Sequence, residues 1–376
     1  MNLIISSSKK VKKTREKIDA RFLIILLIIL ALGTIMIFSA SYPYASAHYG
    51  DGAYYIKKHI IFLALGLFTM IGISFVPLKV IKKIAIPFYV VCIALLVLVL
   101  FTGFSEGVAK RWIGIPGTSL SFQPSELTKL GIILILSYLF DKNEKSTIFK
   151  EIVLPGIVLF SACGLVLLEK HLSGTIIIAL IGLSIIFISG ASIKGMALGY
   201  GLTAIAGGAV FLLTNSYAMK RIESFFDPNA DVLSDKWQTT QGLYAIGSGG
   251  LFGLGIGDSR QKYSYVSEPQ NDFIFTIWCE ETGFVGAIVL ITLYLLLIVE
   301  GYRIALKVDD KFSSLLAFGI TSQIAIQALL NIAVVTDLIP NTGISLPFFS
   351  YGGSSIVILL AEMGILLSIS RKIRKA

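Results

Sequence analysis

Apolar runs long enough to cross a bilayer follow one another along most of this chain, separated by short polar stretches. At ~20 apolar residues per crossing, ten runs can be laid out, over 22–41, 59–76, 84–102, 123–140, 151–168, 174–190, 194–214, 273–297, 313–335 and 351–370. No internal repeat, coiled-coil heptad or low-complexity tract competes with them. The pattern predicts an all-α polytopic membrane protein of about ten transmembrane helices. Its parts are a basic N-terminal segment (1–21), one membrane domain (22–370) and a basic C-terminal segment (371–376). Residues 215–272 form a large external loop between helices 7 and 8, far longer than an ordinary connection and therefore a candidate for function. Segment 103–122 is too apolar to be free in water and too polar to cross, so it is expected at the same interface, partly re-entrant. The basic stretch Lys9–Arg21, the run Phe22–Phe38 and Ala45-Ser46-Ala47 have the outline of a secretory leader. The run exceeds a leader's usual core, and a retained first span is expected.

Composition sharpens this picture. With 55% apolar and 15% charged residues the chain is no soluble globule, and its net charge of +9 comes from Lys and Arg gathered at span ends. That is the topological use of basic residues, so nucleic acid is discounted as a partner. With both termini in the cytoplasm, most of the 32 Lys and Arg fall on inner segments, as the positive-inside rule requires. Cys92, Cys163 and Cys279 lie in apolar runs and read as small packing residues, while His48, His59 and His171 are scattered without ligand spacing. No metal cage is implied.

Within this frame a few charges stand where charge is costly. Asp272 sits between Asn271 and Phe273-Ile274-Phe275, where the long loop becomes an apolar helix. It could cap that helix or act as a base, and the two uses are compatible. Glu280 and Glu281 lie ~12 Å further along and need partners or protons. In the fourth span Gln123-Pro124-Ser125-Glu126 suits a helix N-terminus, yet Lys129 completes an i,i+3 pair that no cap demands, which makes a site candidate. Gln323, Gln327 and Asn331 form one stripe on the ninth span, as interhelical hydrogen-bonding glue or as the wall of a polar groove. The outer basic residues are Lys110-Arg111 beside Trp112, Lys220-Arg221, Lys236, Arg260 and Lys262. They could contact lipid headgroups, or a diphosphate, which a guanidinium matches bidentately. The G-x-G strings of 247–257 follow no strand and so read as close backbone packing rather than a nucleotide loop. Gly352-Gly353-Ser354-Ser355 could pack tightly or present N–H groups to an anion.

Taken together, the strings KRWI, FQPSELTK, RIESFFDPNAD, QGLYAIGSGGLFGLGIGDSRQKY, SEPQNDFIFTIWCEETGFVG and PNTGISLPFFSYGGSS resemble the SEDS family (shape, elongation, division and sporulation), whose members include RodA, FtsW and SpoVE. The resemblance spans 110–355. It implies a peptidoglycan glycosyltransferase that polymerises lipid II at the outer face of the cytoplasmic membrane, alongside a class B penicillin-binding protein. It also implies that Asp272 is catalytic, that Glu126 and Lys129 matter, and that Arg111 matches the family's Lys-Arg-Trp arginine. Ser267 and Gln270 depart from residues common in the family, so no chemistry is expected of them. Glu169-Lys170-His171-Leu172-Ser173-Gly174-Thr175 stands where many members carry Gln-Pro-Asp before Gly-Thr, and no catalytic role is assigned to it. The NDFIF string and short termini lean towards the division and sporulation branch.

On this reading Asp272 is a general base on the acceptor's 4-hydroxyl, and Arg111, Lys129, Arg221 and Arg260 are candidates for the leaving diphosphate, with Glu126 holding Lys129. A divalent ion, Mg²⁺ or Mn²⁺, could assist. Two other readings compete: a transporter that flips lipid II, and a non-catalytic scaffold for the wall-building machinery. No broken paired helices or repeats of the transporter kind are visible.

Overall fold

In the computed structural model, residues 18–105, 110–114, 121–142, 147–201, 208, 216–227, 236–263 and 265–373 are described. The expected basic terminus over 1–17, most of the seventh span and residues 374–376 lie outside them. The helices are α1 (Ala20–Tyr49), α2 (Tyr54–Ser74), α3 (Leu78–Thr102), α4 (Pro124–Lys142), α5 (Leu154–Leu168, entered through a π-turn at Phe149–Val153) and α6 (Leu172–Ile188). They continue as the short α7 (Ile193–Met196), α8 (Ser216–Phe226), α9 (Trp237–Ser248), α10 (Ile274–Lys307), α11 (Lys311–Val335) and α12 (Gly353–Ser370). Seven membrane-crossing candidates, long and apolar enough by themselves, are found among the described residues. The ends follow local chemistry: Asp19 caps α1 by accepting from the Arg21 and Phe22 N–H groups, and Gly50 closes it in the left-handed conformation (φ 68°).

The bundle encloses polar side chains and turns many large apolar ones outward. α4, α11 and α12 lie inside: α4 packs on α3, α6 and α11, and α12 lies along α2. Phe68 and Ile61 of α2 and Phe101 of α3 are exposed, as suits a lipid-facing surface. Polar side chains inside the bundle are joined across helices. Gln323 Nε2 donates to Glu362 Oε2 at 3.0 Å, between α11 and α12.

Two features were not foreseen in form. Segment 103–122 holds a small antiparallel sheet of β1 (Phe104–Ser105), β2 (Lys110–Gly114) and β3 (Ser121–Phe122), with β2 central. Trp112 pairs with Phe104 and Ile113 with Phe122. A five-residue strand beside long apolar runs leaves too short a period to be read. Further on, α10 breaks at Gly283 (φ 70°, ψ −168°), and the glycine-rich turn 249–257 enters the break. Phe284 N and Val285 N donate to the carbonyls of Gly250 and Leu251, while Leu254 N and Gly255 N donate to those of Glu280 and Glu281. A Cβ on Gly253 or Gly283 would meet backbone atoms, so close backbone approach explains these glycines.

Candidate active site

The site is built where α4, α6 and α12 begin and the long loop returns into α10. Segment 268–273 is fixed by backbone rather than by a helix cap. Phe273 occupies the N-cap position of α10 without a side-chain cap bond, which removes the capping use of Asp272. Tyr351 N donates to the Gln270 carbonyl at 2.8 Å. Asn331 Nδ2 bridges the carbonyls of Asp272 (2.7 Å) and Ile344 (2.6 Å), so one amide of the α11 stripe locks the Asp272 segment to loop 336–352. The Asp272 carboxylate lies against Gly343, where a Cβ would stand 3.5 Å from Oδ2 and where φ is 69°. Arg221, on α8, donates through Nη1 to the neighbouring Asn341 carbonyl at 2.8 Å. Burial pushes the Asp272 carboxyl up to about 6; a hydrogen bond from its own backbone opposes this, Glu268 adds to it and Arg221 opposes it.

A second group of charges adjoins the first. Lys129 Nζ meets Glu126 Oε1 at 2.8 Å with both side chains largely buried, and Glu126 Oε2 accepts from Ser355 Oγ at 2.8 Å. Gly353, two residues earlier, leaves room for the Phe62 ring of α2, so tight packing accounts for this glycine. β2 carries Arg111, whose Nη2 donates to the Lys170 carbonyl at 2.6 Å. His171 is buried, its Nδ1 3.3 Å from Ser125 Oγ and 3.4 Å from Gln123 Nε2. Burial, with Arg111 and Lys129 nearby, lowers its pKa to about 3, so it is a neutral hydrogen-bonding group. The two groups meet at one point: Ser173 Oγ donates to the Thr342 carbonyl, between Asn341, which holds Arg221, and Gly343, which backs Asp272. Thr342 links the Asp272 carboxylate to the cations.

Such an arrangement can set an ionisable carboxylate beside a substrate hydroxyl, and cations beside a leaving oxyanion. Arg260 has an exposed side chain on a turn whose backbone is held by Glu280, and no hydrogen bond or ion pair ties it to Asp272 among the described residues. Glu280 and Glu281 have the partners they needed. Glu280 accepts from Ser259 Oγ (2.5 Å), Arg260 N (3.0 Å) and Gln261 N (3.3 Å). Glu281 pairs with the buried Lys262 at 2.9 Å and accepts from Ser39 of α1 at 2.6 Å. Both are fastenings of the loop. No group of three or more His, Cys, Asp or Glu that could hold a metal occurs among the described residues.

The model of the family described as cell cycle protein, FtsW/RodA/SpoVE, matches residues 19–375. This chain is a member of that family. Stage V sporulation protein E of Bacillus subtilis is 40% identical over 365 residues, covering 96% of this chain and 98% of the relative. A probable peptidoglycan glycosyltransferase FtsW of Trichlorobacter lovleyi is 37% identical over 94% of each chain. Among solved structures, the Thermus thermophilus rod shape determining protein RodA superposes with a TM-score of 0.71 at 27% identity, covering 96% of this chain and 98% of that one. A chain of a peptidoglycan synthase complex, described for its coordination of polymerization and crosslinking, gives 0.78 at 26% identity over 94% and 98%. In this SEDS chain the strings holding Arg111, Glu126, Arg221 and Asp272 converge as described, while Lys262 fastens the loop through Glu281. Two parts of the site were given no role from sequence: the Asn341-Thr342-Gly343 turn, read only as part of the PNTGISLPFFSYGGSS string, and the Glu169–Ser173 segment. The first had a signal in Gly343, which follows the polar pair Asn341-Thr342. The second was set aside because it departs from the common family pattern.

Proposed function

We infer that this chain is a peptidoglycan glycosyltransferase that polymerises lipid II, with Asp272 as the base. The observation that carries the reading is the Asp272 carboxylate itself: free of capping duty, set against Gly343, and joined through one turn to Arg221 and to the Arg111–Lys129 group. As the anion, Asp272 takes the proton from the acceptor's 4-hydroxyl as that oxygen attacks C1 of the lipid-linked donor sugar. The new glycosidic bond forms with inversion as the C1–O bond to the diphosphate breaks, and undecaprenyl diphosphate leaves with the electron pair. A positioned base supplies ~10² to 10⁴-fold, and alignment and stabilisation of the departing charge supply the rest. Arg111 and Arg221 meet that charge, and Lys129, held by Glu126, lends positive potential. A divalent ion would be held by the substrate's phosphates more than by this chain.

The reaction belongs at the outer face of the cytoplasmic membrane with both termini inside, an orientation supported by the sequence, in which most of the 32 Lys and Arg fall on the segments assigned to the inner side. The resemblance to a chain of a peptidoglycan synthase complex supports a class B penicillin-binding protein as partner. In cells lacking the endogenous protein, Asp272→Ala is expected to insert normally and fail to restore growth or sporulation. Restoration would favour a scaffold, and lipid II translocation by the purified chain in empty liposomes would favour a flippase.

A further inference from the structure

Glu169 ends α5 next to the site, and the mechanism above does not use it. Its side chain is 2% exposed, and neither carboxyl oxygen has a hydrogen-bond partner. A buried carboxyl with both oxygens unengaged is costly, and such a group is explained when a ligand completes it. The next residue, Lys170, has a left-handed backbone (φ 56°), and its carbonyl holds Arg111 Nη2. One turn therefore brings the guanidinium and the unengaged carboxyl together, and Arg111 is the charge that acts on Glu169. The other charged or titratable groups close by, among the described residues, are the exposed Lys170, the neutral His171 and the Glu126–Lys129 pair of α4, whose ionic bond is made internally. Through Ser173 and Thr342 the same segment reaches the loop that backs Asp272.

We propose that Glu169 is a further substrate-binding residue of this site, its carboxyl group donating a hydrogen bond, as the acid, to the lipid-linked diphosphate beside Arg111. The proposal rests on the polymerase reading and adds to it the recognition of the diphosphate. Burial pushes the Glu169 carboxyl up to about 8, against the pull of Arg111. At neutral pH it is mostly the acid, with an O–H that finds no acceptor among the described residues; a phosphate oxygen supplies one. Above pH 8 it becomes a carboxylate that repels the diphosphate and competes for the guanidinium. Diphosphate affinity therefore falls as pH rises through about 8. Together with Asp272 the site holds two carboxyls whose environments separate their protonation, one ionised and one acidic over the same range.

The test measures binding of undecaprenyl diphosphate to the full chain in lipid nanodiscs, with Asp272→Asn in every sample to stop turnover. From pH 6.5 to 9.5 the chain with Glu169 is expected to lose about tenfold in affinity, the worth of one hydrogen bond to a charged group. Glu169→Gln keeps a donor without a charge, and its affinity should change by less than about threefold over that range. Glu169→Ala should already bind about tenfold more weakly at pH 6.5. A Gln variant that weakens with pH as the parent does, or an Ala variant that binds like the parent, would overturn the proposal. No binding by any form at any pH would instead remove the polymerase reading, so the two failures are distinguishable.

Discussion

The chemistry proposed for Asp272 depends on one proton. A base must be ionised, and its carboxyl titrates near 6, so the polymerisation rate should fall as pH drops through about 6, tenfold per unit below it, and be unaffected by that group above pH 7. A pH–rate profile on purified lipid II checks this; a rate flat down to pH 5 would contradict it. Gly343 offers a second test at this scale. Its φ of 69° disfavours any side chain by about 1 to 2 kcal/mol, and Gly343→Ala should displace the turn that backs the carboxylate. We expect a drop in turnover of tenfold or more with little change in Tm, measured on the same preparation. Asp272 was readable as a candidate because a lone charge at a loop-to-helix boundary is costly enough to need a reason. Whether it capped the helix was not readable, since the choice between Asp272 and Phe273 as N-cap is a matter of one residue's backbone angles.

Among the elements, the broken helix α10 and the glycine loop inside its break are the most constrained. Lys262 and Glu281 are buried together, and removing one partner leaves an uncompensated charge at a cost of about 3–5 kcal/mol. Lys262→Met should therefore lower Tm markedly in a thermal unfolding scan, and adding Glu281→Gln should recover part of the loss. An unchanged Tm in the single variant would show that the pair does not hold the loop to α1. The spacing of apolar residues was enough to place most spans, because each is a long single-period run. The break at Gly283 was hidden in that same run: nothing in the apolar pattern changes there, and its backbone hydrogen bonds are completed by the glycine-rich turn 249–257, which lies at least 26 residues earlier in the chain. The β2 strand was hidden for the opposite reason, being too short to have a period of its own. The role of Arg260 was not readable, since a basic residue in a loop looks the same whether it faces a substrate or leaves a structural turn.

For the molecule as a whole, the account requires the site to face outward. Cys92, Cys163 and Cys279 are buried, so an introduced cysteine can report its side. Lys57→Cys should react with a membrane-impermeant maleimide in intact cells, and Lys372→Cys only after permeabilisation; the reverse pattern would put the site on the wrong face for lipid-linked wall precursors. Charge alone predicts the orientation, because insertion itself sorts Lys and Arg, whereas the meeting of α4, α6, α8 and loop 336–352 at one turn depends on long-range contacts that no local pattern encodes. The central claim is that this assembled site makes glycan, and that Asp272 makes it run. The most direct test is polymerisation of purified lipid II by the wild-type chain and by Asp272→Asn, each alone and with the cognate transpeptidase, read on a glycan-resolving gel. The account predicts ladders from the wild type and none from the variant; ladders of equal intensity from both would contradict it.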